Sequence, residues 1–308
     1  MSTVEAIVPS EDSLNLETSE ILLQRIIVAT DFSDCSTRAL KEAIAIGREF
    51  HAEILLVHAA SPAIYGITAD PIPAASLEAE LDGARAQMVA FIHAEPDLRE
   101  LTHREFVELA GAADLVRRVA REYGADLVVA GSHSFGGLER LALGSVAESI
   151  LTVVPCPVMI VGPSCRYASH PFRSILLATD LETTGLRAAQ FATSLAERFH
   201  TKLTLLHVLE KHPKRSAVQP ELAEDNARLE LARLLPSDLP TYTSATLRIE
   251  QGKPGELVPA IAASLCASLI VTGFGDRSSF SDHAPWSTLS QIIRDAPCPV
   301  LSVRRHFI

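Results

Sequence analysis

The chain repeats itself, and this repeat constrains the possible fold more than any other feature of the sequence. Two early segments, 25–31 (RIIVATD) and 51–59 (HAEILLVHA), return 149 residues later as SILLATD and HTKLTLLHV. Two later segments, 125–131 (ADLVVAG) and 154–162 (VPCPVMIVG), return 142 residues later as ASLIVTG and APCPVLSVR. A chain of 308 residues has room for two domains of ordinary size. The repeat therefore predicts two homologous domains in tandem.

The repeat also sets the expected domain bounds. Residues 1–23 are polar and acidic and are expected to form a flexible extension. The first domain is expected over 24–162 and the second over 174–308. The segment between them, 163–173, is polar and contains proline, as is typical of a linker.

Within each half, short apolar runs alternate with helical patterns. In the first half the runs at 25–31, 54–57, 102–108, 127–130 and 155–161 predict strands. Apolar stripes at helical spacing predict helices from about 39 to 50, 77 to 91 and 112 to 123. Ser33 or Asp34 can cap the first helix, and Gly124 ends the third. The fold class expected is α/β: two tandem doubly wound domains, each a five-stranded parallel sheet with helices on both faces.

The loop after the fourth strand, 131–146 (GSHSFGGLERLALGSV), has the layout of an anion site. Small residues let backbone N–H groups approach a phosphate, and Ser145 can cap a helix whose N-terminus favours negative charge. The loop matches neither the P-loop nor the Rossmann fingerprint, and it contains no lysine. By itself it fits a surface turn equally well.

Composition narrows the classes of partner. The net charge is −11, which argues against general affinity for nucleic acid or an anionic membrane. No apolar run reaches the roughly 18 residues needed to span a bilayer, and the N-terminus lacks the pattern of a secretion signal. We therefore expect a cytoplasmic location. The five cysteines show no zinc-like spacing and are interpreted as reduced thiols, mostly buried: Cys35, Cys156, Cys165, Cys266 and Cys298.

Together, these motifs resemble the universal stress protein (UspA-type) family over both halves. They are the ATD of each first strand, the LLVHA and LLHV of each second strand, the ADLVVAGSHS and GLERLALGSVAESIL around the loop, and the two PCPV strands. The resemblance implies adenine nucleotide bound at the ends of the first and fourth strands, and domains that pair through their last strands. That pairing would give either a pseudo-dimer within the chain or a homodimer.

The family's ATP-binding members carry G-x2-G-x9-G-[S/T], and the first half matches three of its four positions. Gly131, Gly144 and Ser145 match, whereas Ser134 replaces the second glycine. Asp31 ends a first strand, where it can contact ribose or adenine or else serve as a helix cap. His133 could contact phosphate or simply face solvent. The candidate nucleotide-binding residues are Ala29, Thr30, Asp31, Ala59, Ala130, Gly131, Ser132, His133, Gly137, Gly144, Ser145 and Val146.

The second half departs from this pattern. Asp276 and Trp286 stand where the motif has its second and third glycines, so a like charge and a large ring would meet a polyphosphate. We expect this half not to bind ATP in the usual way. His58 and His207, at equivalent strand ends, are expected to make structural hydrogen bonds.

Three functions remain open from the sequence. The first is a stress-response protein that binds ATP or AMP, with or without Mg²⁺, in its first domain as a regulatory ligand with little turnover. The second is an interaction protein without a nucleotide, and the third is a slow ATPase. The missing lysine and the lack of a paired-acid Mg²⁺ site count against the third.

Overall fold

A computed structural model describes residues 21–60, 74–132, 143–166, 171–181, 183–210, 220–236, 245–274 and 285–304. The candidate residues His133 and Gly137 lie outside these ranges, as does Ser134. The chain divides into two compact units, one over Leu22–Pro163 and one from Ser164 onward.

The first unit is a parallel sheet of five strands with helices between them. The strands pair in the order β3-β2-β1-β4-β5. In chain order the elements are β1 Arg25–Ala29, α1 Asp34–Phe50, β2 Glu53–Ala60, α2 Ala74–Ala94, a short 3₁₀ helix Pro96–Glu100, β3 His103–Leu109, α3 Ala112–Tyr123, β4 Leu127–Gly131, α4 Ser145–Val153 and β5 Val158–Val161.

The second unit repeats this arrangement. Its strands pair in parallel in the order β8-β7-β6-β9-β10. The elements are β6 Ser174–Thr179, α5 Thr183–Arg198, β7 Lys202–Leu209, α6 Pro220–Arg233, β8 Ala245–Gln251, α7 Pro254–Ser264, β9 Leu269–Phe274, α8 Pro285–Asp295 and β10 Val300–Arg304. The predicted fold class is confirmed.

The core of each unit forms where apolar strands meet the apolar stripes of the helices. In β1, Ile26, Ile27 and Val28 are wholly buried, because a central parallel strand is covered on both faces. In α3, the residues one, four and five positions after Leu115 are buried together with it, while the remaining face carries charge. No helix in the described ranges is both long and apolar enough to cross a membrane.

The repeat extends to unusual backbone conformations. Non-glycine residues with positive φ occur at Phe32 and at its counterpart Leu181, with φ of 63° and 65°. His51 and His200, which follow α1 and α5, form a second such pair, with φ of 54° and 48°. Since these conformations are uncommon for residues with a Cβ, their recurrence indicates that both units use the same turns.

Candidate functional site

The candidate site lies at the carboxyl ends of β1 and β4, which are neighbours in the sheet. Ala29 pairs with Ala130 across the two strands. Asp31 and Ser132 each come two residues after this pair. Strands β2 and β3 lie on one side of β1, whereas β4 and β5 lie on its other side. This point of reversal in strand order is where ligands bind in open α/β sheets.

Asp31 lies in a tight turn between β1 and α1. Its Oδ1 accepts hydrogen bonds from the Ser33 backbone N–H at 3.1 Å and from the Ser33 hydroxyl at 2.6 Å. Within the described ranges no group bonds to its Oδ2. The Ser33 side chain in turn accepts from the Ser36 N–H at 3.2 Å and is the N-cap of α1. The prediction that Ser33 or Asp34 caps this helix is therefore confirmed with Ser33, and Asp31 orients the capping residue.

Thr30 is almost fully buried, and its polar groups are all used inside the protein. Its hydroxyl lies 3.0 Å from the Ser36 hydroxyl and accepts from the Phe32 N–H at 3.0 Å. Its backbone N–H donates to Val57 O at 2.9 Å. Thr30 therefore fixes the turn that presents Asp31. Ser33 and Ser36 were not among the predicted site residues, although their spacing of three, next to an Asp, is a helix-start pattern that could have indicated them.

His58 closes the same turn from β2. Its Nδ1 lies 2.8 Å from Thr30 O, and its ring lies 4.2 Å from that of Phe32. In the second unit His207 Nδ1 lies 2.9 Å from Thr179 O. The predicted structural hydrogen bonds of both histidines are thus confirmed.

Gly131, the last residue of β4, packs directly against the start of α1. A Cβ on Gly131 would lie 2.8 Å from Cys35 Cβ, 2.9 Å from Cys35 C and 3.0 Å from Ser36 N. No side chain fits there without a shift of the helix backbone, so the absence of a Cβ brings the ends of β1, β4 and α1 together. This packing role of Gly131 was not predicted, since Cys35 lies far away in sequence.

The loop that follows β4 is closed at its base. Ser132 is wholly buried, its N–H donates to Val161 O at 3.1 Å, and its carbonyl accepts from the Gly144 N–H at 2.8 Å. Gly144 is the N-cap of α4, and Ser145 is its first helical residue. The prediction that Ser145 caps the helix is therefore wrong by one position. Because the N-cap has no side chain, the N-terminus of α4 carries no side-chain capping bond.

The remaining candidates differ in exposure. Ala130 is buried, whereas Ala29 and Ala59 are partly exposed at the strand ends. Ser145 and Val146 are exposed in the first turn of α4. The structure therefore brings Asp31, Gly131 and Ser132 to neighbouring strand ends and connects Gly144 to them through a hydrogen bond.

The second unit keeps the backbone conformation of the β1–α1 turn after β6 but differs in the side chains around it. Thr179 keeps the role of Thr30, because its hydroxyl accepts from the Leu181 N–H at 3.1 Å. Ser36 is replaced by Gly185, where a Cβ would lie 2.3 Å from the Thr179 hydroxyl oxygen. Asp276, the residue at the position of the second glycine of the motif, lies outside the described residues. The part of the chain that is described contains no cluster of three or more His, Cys, Asp or Glu suited to a metal ion.

The five cysteines are thiols that are not joined in disulfides. Cys156, Cys165 and Cys298 are buried, Cys35 is partly exposed and Cys266 is exposed. Burial raises the pKa of the Cys156 thiol to about 12, with a smaller contribution from the Asp126 carboxylate. Since the thiolate is the reactive form, Cys156 is inert at neutral pH.

Comparison with known proteins agrees with this architecture. A sequence model of the universal stress protein family matches residues 23–162 and again residues 171–304. A universal stress protein of Mycolicibacterium smegmatis is 27% identical over 285 residues, which cover 91% of this chain and 96% of that protein. A universal stress protein of Methanocaldococcus jannaschii is 36% identical over 155 residues, which cover 47% of this chain and 86% of that protein.

A solved structure shares the fold over nearly the full length. The crystal structure of a universal stress protein from Archaeoglobus fulgidus has a TM-score of 0.66 and 18% identity, covering 95% of this chain and 99% of that one. Both halves of the present chain match the same family model, and the predicted resemblance is confirmed. This two-unit chain therefore belongs to the universal stress protein family.

Proposed function

We propose that the first unit binds an adenine nucleotide, ATP or AMP, as a regulatory ligand with little or no turnover. The observation that carries this proposal is that Asp31 and Ser132 each come two residues after the paired Ala29 and Ala130, at the carboxyl ends of neighbouring strands. These two strand ends flank the reversal in strand order, where open α/β sheets bind their ligands.

The proposed contacts follow from the chemistry of each group. Oδ2 of Asp31 is available to accept a hydrogen bond from a ribose hydroxyl or an adenine amino group, while Oδ1 is held by Ser33. The small Ala29 and Ala59 leave room for a flat ring. Phosphates would lie near Gly144 and the exposed first turn of α4, where the cap residue forms no side-chain bond and the helix dipole favours negative charge.

Little turnover is proposed because the groups that drive phosphoryl transfer are missing from the loop. Segment 131–146 contains no lysine to neutralise a developing charge. Within the described residues no acid cluster suited to Mg²⁺ accompanies the site. Any Mg²⁺ would then be held mainly by the phosphates themselves.

Isothermal titration calorimetry of the full chain with ATP, with and without Mg²⁺, tests the proposal. We expect one equivalent of ATP to bind the wild type. Asp31→Ala and Gly144→Trp are each expected to weaken binding by at least about tenfold, which corresponds to about 1.4 kcal/mol. The repeat supplies the matched control Asp180→Ala, which removes the equivalent carboxylate of the second unit and is expected to leave binding unchanged.

The outcomes separate the three candidate functions. No heat of binding with any adenine nucleotide would overturn the proposal in favour of an interaction protein. Equal losses in Asp31→Ala and Asp180→Ala would place the ligand elsewhere. Steady release of inorganic phosphate at more than about 0.01 per second, far below the turnover of ordinary kinases, would contradict a ligand role and favour an ATPase.

A further inference from the structure

A second polar site lies at the opposite edge of the first unit, where the strands begin. It is a cleft of about 460 Å³ lined by Arg25, Arg104, Arg121, Glu122, Tyr123 and Gly124. Arg25 begins β1, Arg104 is near the start of β3, and Arg121 is in the last turn of α3. Three arginines thus line one cleft, and its volume is within the range typical of small-molecule sites.

Two of the arginines are held in place by neighbouring groups. Arg25 Nη1 donates to Tyr123 O at 2.9 Å. Arg104 Nε donates to Glu53 Oε1 at 2.6 Å, and its Cζ lies 5.6 Å from the centre of the Tyr123 ring. Each bond uses only one of the five N–H donors of a guanidinium. The fixed side chains therefore keep most of their donors for a ligand.

The third arginine has no partner in the described part of the chain. Arg121 is exposed on α3 and makes no ion pair or hydrogen bond there. Its neighbour Glu122 lines the cleft, but that carboxylate lies 3.4 Å from Arg118 Nη1. Glu53 offsets part of the charge of Arg25 and Arg104. The Asp126 carboxylate also lies near Arg25, because it accepts from the Arg25 backbone N–H at 2.9 Å. Arg121 is therefore the arginine of this cleft whose charge is not offset by a described bond.

The fold itself does not require these arginines. Positive charge near the last turn of a helix stabilises the helix dipole, which is the simplest structural explanation for them. The second unit, however, forms the same strands and helix without any of them. At the equivalent positions it has Ser174, Thr246, Ala263, Ser264 and Leu265 in place of Arg25, Arg104, Arg121, Glu122 and Tyr123.

We propose that this cleft, defined by Arg25, Arg104 and Arg121, binds a small molecule that bears a phosphate group. Guanidinium groups pair with phosphate oxygens through two parallel N–H bonds, and three of them around one cleft provide more donors than a carboxylate can use. The site is separate from the proposed nucleotide site, since it lies at the amino ends of the strands.

The test is a titration of the full-length, ¹⁵N-labelled chain with pyrophosphate, followed by amide chemical shifts. Gly124 lines the cleft, so its amide signal is expected to move in a saturable way. Arg121→Ala and Arg104→Thr copy residues that the second unit tolerates, and each is expected to weaken the Gly124 response by about tenfold, as expected for loss of a charge-assisted pair. Arg117→Ala, on the same helix but paired with Asp114 at 3.0 Å, is the matched control and should not change it.

The readout also distinguishes this cleft from the nucleotide site. Binding at the carboxyl edge would move the Gly144 amide and would persist in Arg121→Ala. An unchanged Gly124 signal up to 20-fold above the protein concentration, at low salt, would overturn the proposal. An equal response in Arg121→Ala and Arg117→Ala would also overturn it, because the attraction would then be general to the surface.

Discussion

The missing Cβ of Gly131 fixes the distance between β4 and the first turn of α1. The atoms that a Cβ would meet are mostly backbone atoms or atoms close to the backbone of Cys35 and Ser36, at 2.8 to 3.0 Å. A flexible side chain can rotate away from such a contact, whereas a helix start held by the Ser33 cap and the Thr30 hydroxyl cannot. The glycine is therefore required for packing, independently of any ligand.

We expect Gly131→Ala to lower the free energy of unfolding by about 1–3 kcal/mol, the usual cost of overpacking a tight contact. Urea denaturation of the purified chain measures this. Gly83→Ala is the control, because Gly83 lies within α2 and a Cβ there meets no atom within 4 Å. That substitution should be neutral or stabilise by up to about 1 kcal/mol, since alanine is the better helix former. Equal stability of wild type and Gly131→Ala would contradict the packing role.

The sequence indicated that Asp31 and Gly131 are site residues, but it did not reveal the contacts that each makes inside the protein. Asp31 follows an apolar run, and that pattern alone suggests a strand-end carboxylate. The neighbour of Gly131 is Cys35, which is distant along the chain, so no local pattern could reveal the contact. Thr30 was predicted to contact a ligand, but its polar groups are occupied within the turn.

The ends of helices α3 and α7 use the same backbone turn with different residues. After α3 the left-handed position is Gly124, with φ of 60°, and after α7 it is Cys266, with φ of 48°. The hydrogen bonds correspond: Ala125 N–H donates to Ala120 O at 2.9 Å, and Ala267 N–H donates to Ala262 O at 2.9 Å. Both are helix ends of the type that favours glycine.

We expect Cys266→Gly to raise the stability of the chain by about 1 kcal/mol, because glycine has no Cβ strain in the left-handed region. Gly124→Ala should lower it by a similar amount. Thermal unfolding monitored by circular dichroism measures both, and Cys266→Ala controls for loss of the thiol. A stabilisation in Cys266→Ala as large as in Cys266→Gly would attribute the effect to the thiol and not to the backbone.

Helices and strands were predictable from the sequence where a long periodic pattern of apolar residues marks them. The stripe at 112–123 followed by Gly124 predicted α3 with the bounds that the structure shows. The cap of α4 was misplaced by one residue, because Gly144 and Ser145 are both acceptable N-caps and only the backbone geometry separates them. The 3₁₀ helix Pro96–Glu100 was missed, since five residues are too few for a periodic pattern.

On the scale of the whole molecule, each unit has a buried interior strand and a more exposed strand at one end. Strand β1 lies between β2 and β4, and its central residues are wholly buried. Strand β3 is at the end of the order, and each of its residues is either partly buried or exposed. In the second unit β6 and β8 have the corresponding positions.

We expect hydrogen exchange measured by mass spectrometry to be at least about tenfold slower in β1 and β6 than in β3 and β8. The physical reason is that amides in a buried central strand exchange only through larger opening reactions. The two units serve as replicates of each other. Faster exchange in β1 than in β3 would mean that the first unit opens from its centre, contrary to the burial of its core.

The tandem architecture was predictable because the repeat is visible in four separate segments. Parallel pairing follows from the alternation of strands and helices, whereas the strand order within each unit was not predicted and is given by the structure. The cleft of Arg25, Arg104 and Arg121 was not predictable. Its residues come from three segments that only the folded sheet brings together.

The bond between His58 and Thr30 O, repeated by His207 and Thr179 O, also determines the tautomer of each ring. A carbonyl oxygen can only accept, so Nδ1 must carry hydrogen in both histidines. The neutral rings are thereby held as the Nδ1–H form, with the lone pair on Nε2. Each unit thus presents one imidazole nitrogen as a preset acceptor beside the turn after its first strand, in an orientation set by the bond of the other nitrogen.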